Sequence, residues 1–281
     1  MQKALRRYWI IFLLPTLAAF VTAFLVPFFM GVYLSFTEFT TVTDASFVGA
    51  ANYIKAFTGN RDFLNALWFT VRFSIVSVIT VNLFALLLAL ALTRTVRGTN
   101  LFRTIFFMPN LVGGIVLGYI WKLIINGILL NFGVDITFSA TYGFWGLVAV
   151  INWQMIGYMM IIYIAGIQNI PGTLLEAASI DGAGPLRTLW SIKLPMIMPS
   201  ITITTFLTLT NSFKLFDQNL SLTAGAPGRE SAMLALDIYN TFYGRMGYEG
   251  VGQAKAVVFF LLVAAISLIQ LLLTRSREVD H

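Results

Sequence analysis

The amino-acid sequence predicts an all-α, polytopic membrane protein with six transmembrane helices. Of its 281 residues, 58% are hydrophobic and only 11% are charged, and the mean hydropathy is +0.83. Soluble globular domains carry about 25% charged residues, so a large water-facing domain is excluded. Six apolar stretches are each long enough to cross a hydrocarbon core, which needs about 20 helical residues.

The six predicted spans are separated by polar or turn-forming segments. They cover residues 8–36, 67–92, 102–125, 144–167, 196–222 and 256–273. The first stretch is too long, and has the wrong flanks, for a cleaved signal peptide. We therefore expect one transmembrane domain over residues 1–281, with a polar loop at 169–195.

The basic residues of the short loops predict the orientation of the spans, because Lys and Arg accumulate on the cytoplasmic side. An inside N-terminus places ten of them on the cytoplasmic side: Lys3, Arg6, Arg7, Arg94, Arg97, Arg103, Arg187, Lys193, Arg275 and Arg277. The opposite side then carries six: Lys55, Arg61, Lys122, Arg229, Arg245 and Lys255. We therefore expect both termini and the 169–195 loop to be cytoplasmic.

Several function classes lack the residues that they would need. The chain has no cysteine, and its one histidine is the final residue, His281, so thiolate and histidine metal sites are excluded. We predict no catalytic residue and no metal site, since only Asp217 and Arg72 could serve an enzyme within the bilayer. Arg72 lies near the end of its span and can snorkel to the surface.

Two further classes are disfavoured by the distribution of charge. The net charge of +6 arises from residues at the ends of apolar runs, which is typical of membrane topology and not of a nucleic-acid surface. A carrier driven by protons or sodium often uses acidic residues within the membrane. Asp217, near the outer end of span five, is the one such acid, and it gives little support for this class.

The loop at 169–195 has the pattern of a short helical lever. Pro171 ends span four, and a helix restarts near Thr173, which is spaced from Glu176 as in a capping box. Asp181 and Gly182 then break this helix. The two carboxylates could meet basic residues of a soluble partner, and the alternative is an ordinary loop packed on its own helices.

The same loop carries an extended motif, Glu-Ala-Ala, three residues, Gly, nine residues, Ile-x-Leu-Pro. Its positions are filled by Glu176, Ala177, Ala178, Gly182, Ile192, Leu194 and Pro195. The motif resembles that of the inner-membrane permease subunits of binding-protein-dependent ABC importers. The stretches 101–109 and 222–227 are similar to carbohydrate permeases, with Ala226 in place of a second glycine. The likeness covers nearly the whole chain and is strongest to the first-type permease of maltose and multiple-sugar importers, in a minimal six-span form.

The resemblance implies a type I ABC importer permease fold with a cytoplasmic coupling helix. The implied ATPase-coupling residues are Glu176, Ala177, Ala178, Asp181, Gly182, Ile192, Leu194 and Pro195. The implied partners are a second permease subunit in a heterodimer, two ATP-binding subunits, an external solute-binding protein, a sugar and the lipid of a bacterial or archaeal inner membrane. ATP and Mg would bind to the partner ATPase and no cofactor to this chain, which lacks the phosphate-loop motif Gly-x-x-x-x-Gly-Lys-Ser/Thr.

Span five carries the most polar face among the spans. Its residues Thr204, Thr208, Asn211, Ser212 and Leu215 share one helical face, and uncharged donors and acceptors suit a sugar. The alternative is that the hydroxyls bond back to their own helix and that Asn211 joins helices. The resemblance places substrate-path residues at Tyr158, Thr208, Asn211, Ser212 and Leu215.

Lys214 and Asp217 are three residues apart, so we predict a structural ion pair between them, with a role in gating as the alternative. A permease for another small solute, such as a polyamine, a peptide or glycerol phosphate, is the second candidate function. Its path should carry charges that match the solute, and the neutral face of span five argues against it.

Overall fold

The computed structural model describes Ile11 and residues 13–59, 61–93 and 98–275, with only the backbone of Arg275. The all-α prediction is confirmed for these residues, whose one sheet is an antiparallel ribbon of β1 (Thr37–Glu38) and β2 (Ser46–Phe47). Part of the predicted cytoplasmic charge lies outside the described residues: Lys3, Arg6, Arg7, Arg94, Arg97 and Arg277, together with His281.

Among the described residues, five helices are long and apolar enough to cross a membrane, and a bent pair makes a sixth span possible. The elements, in chain order, are α1 (Leu13–Leu34), β1, β2, α2 (Ala51–Thr58), α3 (Asp62–Leu92), α4 (Thr99–Phe107), α5 (Gly114–Leu129), α6 (Ala140–Gln168), α7 (Gly172–Ile180), α8 (Pro185–Met196), α9 (Met198–Phe213), α10 (Asp217–Leu222), α11 (Leu234–Gly244) and α12 (Glu249–Arg275). The bent pair is α8 and α9, which meet at 71°.

Contacts divide the chain into two compact units, residues 1–63 with 238–260, and residues 64–237 with 261–281. In the first unit, the buried amide of Asn52 donates to the backbone oxygens of Ser35 and Thr37 at 3.0 and 2.8 Å. These bonds satisfy backbone carbonyls where the chain leaves α1 and enters β1. The single domain over 1–281 stays a prediction.

Polar contacts also order the periphery of the first unit. Arg245 pairs with Asp62 at 3.0 Å. In the β1–β2 loop, the backbone amides of Thr41 and Thr40 donate to Asp44 at 2.9 and 3.0 Å. Because these bonds favour the carboxylate, they hold the pKa of Asp44 below its ordinary value.

The second unit has its apolar core around α6, which buries side chains along most of its length. One stripe of α3 faces this core through Phe73, Val81, Ala85 and Ala89, at spacings of eight, four and four residues, as expected for one helical face. At Gly157, an added Cβ would lie 2.7 Å from the backbone nitrogen of Phe107 and closer still to Phe106. Glycine is therefore what allows α4 to approach α6.

The predicted third span, residues 102–125, is wrong as a continuous helix. The chain forms α4, a 3-10 turn at Met108–Leu111 and an extended Val112 before α5 begins. Pro109 has no amide hydrogen to donate, and Gly113 has an extended ψ of 141°. The apolar segment that can span the membrane is Gly114–Phe132.

The predicted fifth span, residues 196–222, is also wrong in extent. A break at Ile197 separates α8 from α9, because the ring of Pro199 conflicts with the carbonyl four residues earlier. A second break after Phe213 leaves α9 with 16 residues. The following helix, α10, packs on α5, where a Cβ at Gly114 would lie 2.6 Å from the Asp217 Cβ.

The predicted capping box of α7 is wrong as well. Pro171 occupies the N-cap position, the helix begins at Gly172, and no side chain caps it. Thr173 therefore lies inside the first turn, where its hydroxyl cannot take the N-cap role that pairs with Glu176.

Candidate coupling loop and transport cavity

The loop at 169–195 folds into two helices, α7 and α8, joined by a tight turn. The amide of Ala183 donates to the Ala178 oxygen at 2.9 Å and that of Gly182 to the Ser179 oxygen at 3.1 Å. This pair of bonds is a Schellman motif, which needs a left-handed residue, and Gly182 supplies it with φ of +71°. The glycine of the sequence motif therefore sets the direction in which the chain leaves α7.

The coupling residues predicted from the sequence divide by exposure. Glu176, Ala177, Asp181 and Gly182 are exposed, Ala178 is buried, and Ile192, Leu194 and Pro195 are half-buried. The alternative of a loop packed on its own helices is disfavoured by large apolar side chains that remain in the open: Ile180 is 86%, Leu186 72% and Trp190 68% exposed. Exposed apolar patches of this kind mark interaction surfaces.

A polar cavity of about 400 Å³ lies in the second unit, between α6, α9 and α10. Its polar lining consists of Asn110, Gln154, Tyr158, Asn211, Lys214, Asp217 and Gln218. Its apolar lining consists of Ile151, Met155, Leu215 and Phe216. Its volume lies within the range of small-molecule sites, about 300–1,000 Å³.

Two of the three helix breaks of the second unit open on this cavity. Asn110 comes from the break between α4 and α5, and Lys214 from the break between α9 and α10. Gln154 of α6 bridges them, since its amide donates to the Val112 oxygen at 3.4 Å and its side-chain oxygen accepts from Gln218 at 2.7 Å. Irregular backbone at membrane depth is tolerated where it lines a cavity, so the breaks and the cavity belong together.

Three of the five predicted substrate-path residues line the cavity, namely Tyr158, Asn211 and Leu215. Thr208 and Ser212 do not. Both are fully buried, and the Thr208 hydroxyl donates to the Thr204 oxygen at 2.7 Å. The back-bonding alternative thus describes Thr208, and a substrate contact for all five residues stays a prediction.

The predicted ion pair between Lys214 and Asp217 is wrong, because no salt bridge within the described residues joins them. Lys214 ends α9 in a non-helical conformation and Asp217 begins α10. The two side chains therefore lack the geometry of residues three apart on one helix. Both are exposed and line the cavity, so the cavity carries one charge of each sign.

Sequence reasoning missed a polar network that connects three spans of the second unit. The Tyr163 hydroxyl of α6 donates to Asn82 Oδ1 of α3 at 2.9 Å and accepts from Thr204 of α9 at 2.7 Å. The Asn82 amide lies 3.4 Å from the Thr208 hydroxyl. The available signal was an asparagine in the middle of an apolar span.

No group of three or more His, Cys, Asp and Glu side chains is placed to hold a metal ion anywhere in the described ranges. The site therefore rests on amide, hydroxyl, aromatic and two charged side chains.

Comparisons with known proteins agree with this architecture. The family described as "Binding-protein-dependent transport system inner membrane component" matches residues 82–279. The chain is 43% identical to the probable starch degradation products transport system permease protein AmyD of Thermoanaerobacterium thermosulfurigenes, over 97% of this chain and 95% of that one.

It is 31% identical to the multiple sugar-binding transport system permease protein MsmF of Streptococcus mutans, over 99% of both chains. A chain of a bacterial ABC transporter involved in the import of the acidic polysaccharide alginate has the same fold, with a TM-score of 0.81, 20% identity and 98% of each chain covered. The protein therefore belongs to the family of inner-membrane permease components of binding-protein-dependent transport systems.

Proposed function

We propose that this chain forms half of the translocation path of an ATP-driven importer for a sugar or oligosaccharide. An external binding protein delivers this solute to the importer. As a transport permease component it is not an enzyme. The observation that carries the proposal is the cavity at two of the helix breaks, whose polar lining includes four side-chain amides and Tyr158. The printed functions of the AmyD and MsmF relatives, starch degradation products and multiple sugars, support the substrate class.

The cavity offers contacts that suit a carbohydrate. Asn211 is exposed and lines the cavity, and its amide donates to the Leu207 oxygen at 2.8 Å. Its side-chain oxygen remains an acceptor for sugar hydroxyls. Tyr158 supplies a ring that can stack on an apolar sugar face and a hydroxyl that can hydrogen-bond. Leu215 adds apolar surface between these polar groups.

A second candidate is a solute that carries an anionic group, such as glycerol phosphate. Lys214 favours it, because this cation lines the cavity and is not paired with Asp217. Lys214→Gln separates the two candidates. Uptake of a neutral oligosaccharide should be retained by this variant, whereas uptake of an anionic solute should fall at least tenfold, about the effect of one lost charge-assisted contact.

The coupling loop connects directly to two helices that line the cavity. It begins where α6 ends and continues through α8 and the buried Ile197 into α9. Tyr158 lies ten residues before the end of α6, about 15 Å along the helix. A partner ATPase that engages α7 could therefore move Tyr158 and Asn211 together. We infer that the importer has two ATP-binding subunits, which bind ATP and Mg, and that one of them docks on the exposed patch of α7 and α8.

Two glycines of the loop provide a matched test of coupling. A Cβ at Gly182 or at Gly184 would meet no atom within 4 Å, but Gly182 has φ of +71° whereas Gly184 has φ of −67°. Gly182→Ala should strain the turn by about 1–2 kcal/mol, and Gly184→Ala should not. We expect ATP-dependent uptake in vesicles that contain the whole transporter to fall in Gly182→Ala and in Glu176→Ala, with Gly184→Ala near wild type.

The coupling proposal is wrong if Gly182→Ala and Glu176→Ala both transport at the wild-type rate. The cavity proposal has its own test, in which Asn211→Ala and Tyr158→Phe should raise the sugar concentration for half-maximal uptake. Asn131→Ala, in an exposed 3-10 helix at Leu130–Phe132, is the control. Unchanged concentration dependence in both cavity variants would remove the proposed path.

The proposed orientation has the termini and the 169–195 loop in the cytoplasm of a bacterial or archaeal cell. The chain has no cysteine, so a single introduced cysteine is its only site for thiol labelling. Cysteine at exposed Ile180 should react only after the membrane is permeabilised, whereas cysteine at exposed Thr43 should react in intact cells. The reverse pattern would contradict the orientation. Copurification with a differing permease chain would test the heterodimer that we propose.

A further inference from the structure

A second cavity, of about 410 Å³, lies at the end of α6 opposite the 169–195 loop. It is bounded by one face of α3 and by the first turns of α6. Aromatic and aliphatic side chains form most of its wall, and its polar groups are the guanidinium of Arg72 and the hydroxyl of Thr141. The 29 residues of α6 span about 44 Å, so this cavity is far from the coupling loop.

The position of Arg72 along α3 places it at the edge of the hydrocarbon. A hydrocarbon core of about 30 Å corresponds to about 20 helical residues. Counted back from the end of α3 at Leu92, this length reaches residue 73. Arg72 is therefore at the depth where lipid headgroups begin, on the side away from the coupling loop.

Arg72 is exposed, and it makes no ion pair with any carboxylate of the described residues. Its contact is with the ring of Trp68, which lies 5.6 Å from the guanidinium carbon. Arginine offers five donors in a planar fork that matches a phosphate group. The donors of Arg72 are thus available to an anionic ligand that reaches this depth.

The walls of the cavity are suited to an acyl chain. Phe69 and Phe144 meet edge to face at 5.6 Å, and Phe144 and Trp145 at 5.4 Å, which forms a stiff aromatic surface. Trp145 is 57% exposed, and tryptophan is enriched at the interface between membrane and water. A sugar would need many more hydrogen-bonding partners than this wall provides.

From this combination we propose that the cavity binds one anionic phospholipid. Arg72 holds the phosphate, and an acyl chain lies along Ile75, Phe144 and Trp145. The N-terminal end of α6 at Ala140 lines the same cavity, and the positive end of its helix dipole adds to the attraction for the phosphate. With the orientation proposed above, the lipid belongs to the outer leaflet. The site is separate from the sugar cavity and does not depend on the identity of the solute.

Native mass spectrometry of the assembled transporter provides the test. The complex is equilibrated with equal amounts of phosphatidylglycerol and phosphatidylcholine that carry the same acyl chains. Wild type should retain phosphatidylglycerol with a preference of about fivefold, the effect of one arginine near a headgroup. Arg72→Gln should lose this preference, while Arg61→Gln, which removes an exposed cation just before α3, should keep it.

Other outcomes would overturn the proposal. An equal preference in Arg72→Gln and wild type would exclude the guanidinium as the headgroup site. Displacement of the lipid by millimolar inorganic phosphate would indicate a site for a free anion. Crosslinking of a Trp145→Cys variant to the second permease subunit would show that this cavity is part of a subunit interface. If Arg72→Gln fails to assemble, Ile75→Trp, which fills the groove, should reduce retention of phosphatidylglycerol by at least half, and unchanged retention would refute the site. Sugar uptake by these variants is measured separately and tests the proposed transport function, so failure of the lipid site and failure of that function can be told apart.

Discussion

Replacement of Tyr163 by phenylalanine tests the polar network that connects α3, α6 and α9. Tyr163 is 1% exposed, and the change removes one oxygen while it keeps the ring. That oxygen donates to Asn82 at 2.9 Å and accepts from Thr204 at 2.7 Å. The substitution therefore breaks two contacts between spans and leaves the apolar packing in place.

The expected loss of stability follows from what each partner retains. Thr204 keeps a bond to the Ser200 oxygen at 2.9 Å, so it is not left unsatisfied. Asn82 keeps the bond from its amide to the Val78 oxygen at 2.8 Å, but its side-chain oxygen loses the tyrosine donor. Hydrogen bonds between membrane helices contribute about 0.6 kcal/mol on average and up to about 1.7 kcal/mol. We expect Tyr163→Phe to lower the free energy of unfolding by about 1–2 kcal/mol.

The assay is reversible unfolding of the purified chain in mixed micelles, arranged as a double-mutant cycle with Asn82→Ala. If the two groups interact directly, the double variant should lose about 1 kcal/mol less than the sum of the single variants. Tyr119→Phe is the control, since Tyr119 is 57% exposed on α5, and its effect should stay within about 0.5 kcal/mol. Additive losses, or no loss in Tyr163→Phe, would refute the reasoning.

Two further predictions concern close packing and a buried amide. Gly157→Ala places a methyl group 2.7 Å from the Phe107 nitrogen and should lower the free energy of unfolding by about 1–3 kcal/mol. Gly127→Ala is the control, because a Cβ there meets nothing within 4 Å, and it should not lower this free energy. Equal stability of the two variants in the same assay would contradict the prediction. Asn52→Ala removes two hydrogen bonds to backbone carbonyls and should lower the free energy of unfolding by about 1–3 kcal/mol. The exposed Asn131→Ala variant should lower it little. Faster proteolysis at residues 37–50 in Asn52→Ala is the measurement that reports the loss.

The sequence predicted the unbroken spans well because length and apolarity alone determine them. The helices α1, α3, α6 and α12 each contain or closely match a predicted apolar stretch. Their ends differ, as at Asp62, where α3 begins five residues before the predicted start at 67. Polar residues at a helix end extend past the hydrocarbon, where hydropathy carries no information about helical structure.

The breaks were not predictable in the same way. A proline within an apolar run can be kept in a helix when neighbouring groups satisfy the freed carbonyls, so the sequence does not decide between a kink and a break. Around Pro109 the outcome depends on a distant partner, since Gln154 of α6 donates to the Val112 oxygen at 3.4 Å. This contact is set by the folded arrangement and has no local signature in the sequence.

The predicted polar face of α9 was too wide for the same reason. Successive residues of a helix are about 100° apart, so Asn211 lies about 60° from Thr208 and about 100° from Ser212. The boundary between the cavity and the packed core of the unit falls inside this sector. Asn211 and Lys214 lie on the cavity side, whereas Thr208 and Ser212 are fully buried. Periodicity identifies the face, but only the neighbouring helices divide it.

The Tyr163 network lies between the 169–195 loop and the polar cavity, on both helices that connect the two. On α6, Tyr163 lies five residues before the end of the helix at Gln168 and five residues after Tyr158. On α9, Thr204 precedes Asn211 by seven residues. If α6 slid past α9, it would break the 2.7 Å bond between Tyr163 and Thr204. Movement of the loop should therefore reach the cavity as a joint displacement of both helices with α3. A variant that weakens this bond should reduce uptake for each ATP hydrolysed, in addition to its effect on stability.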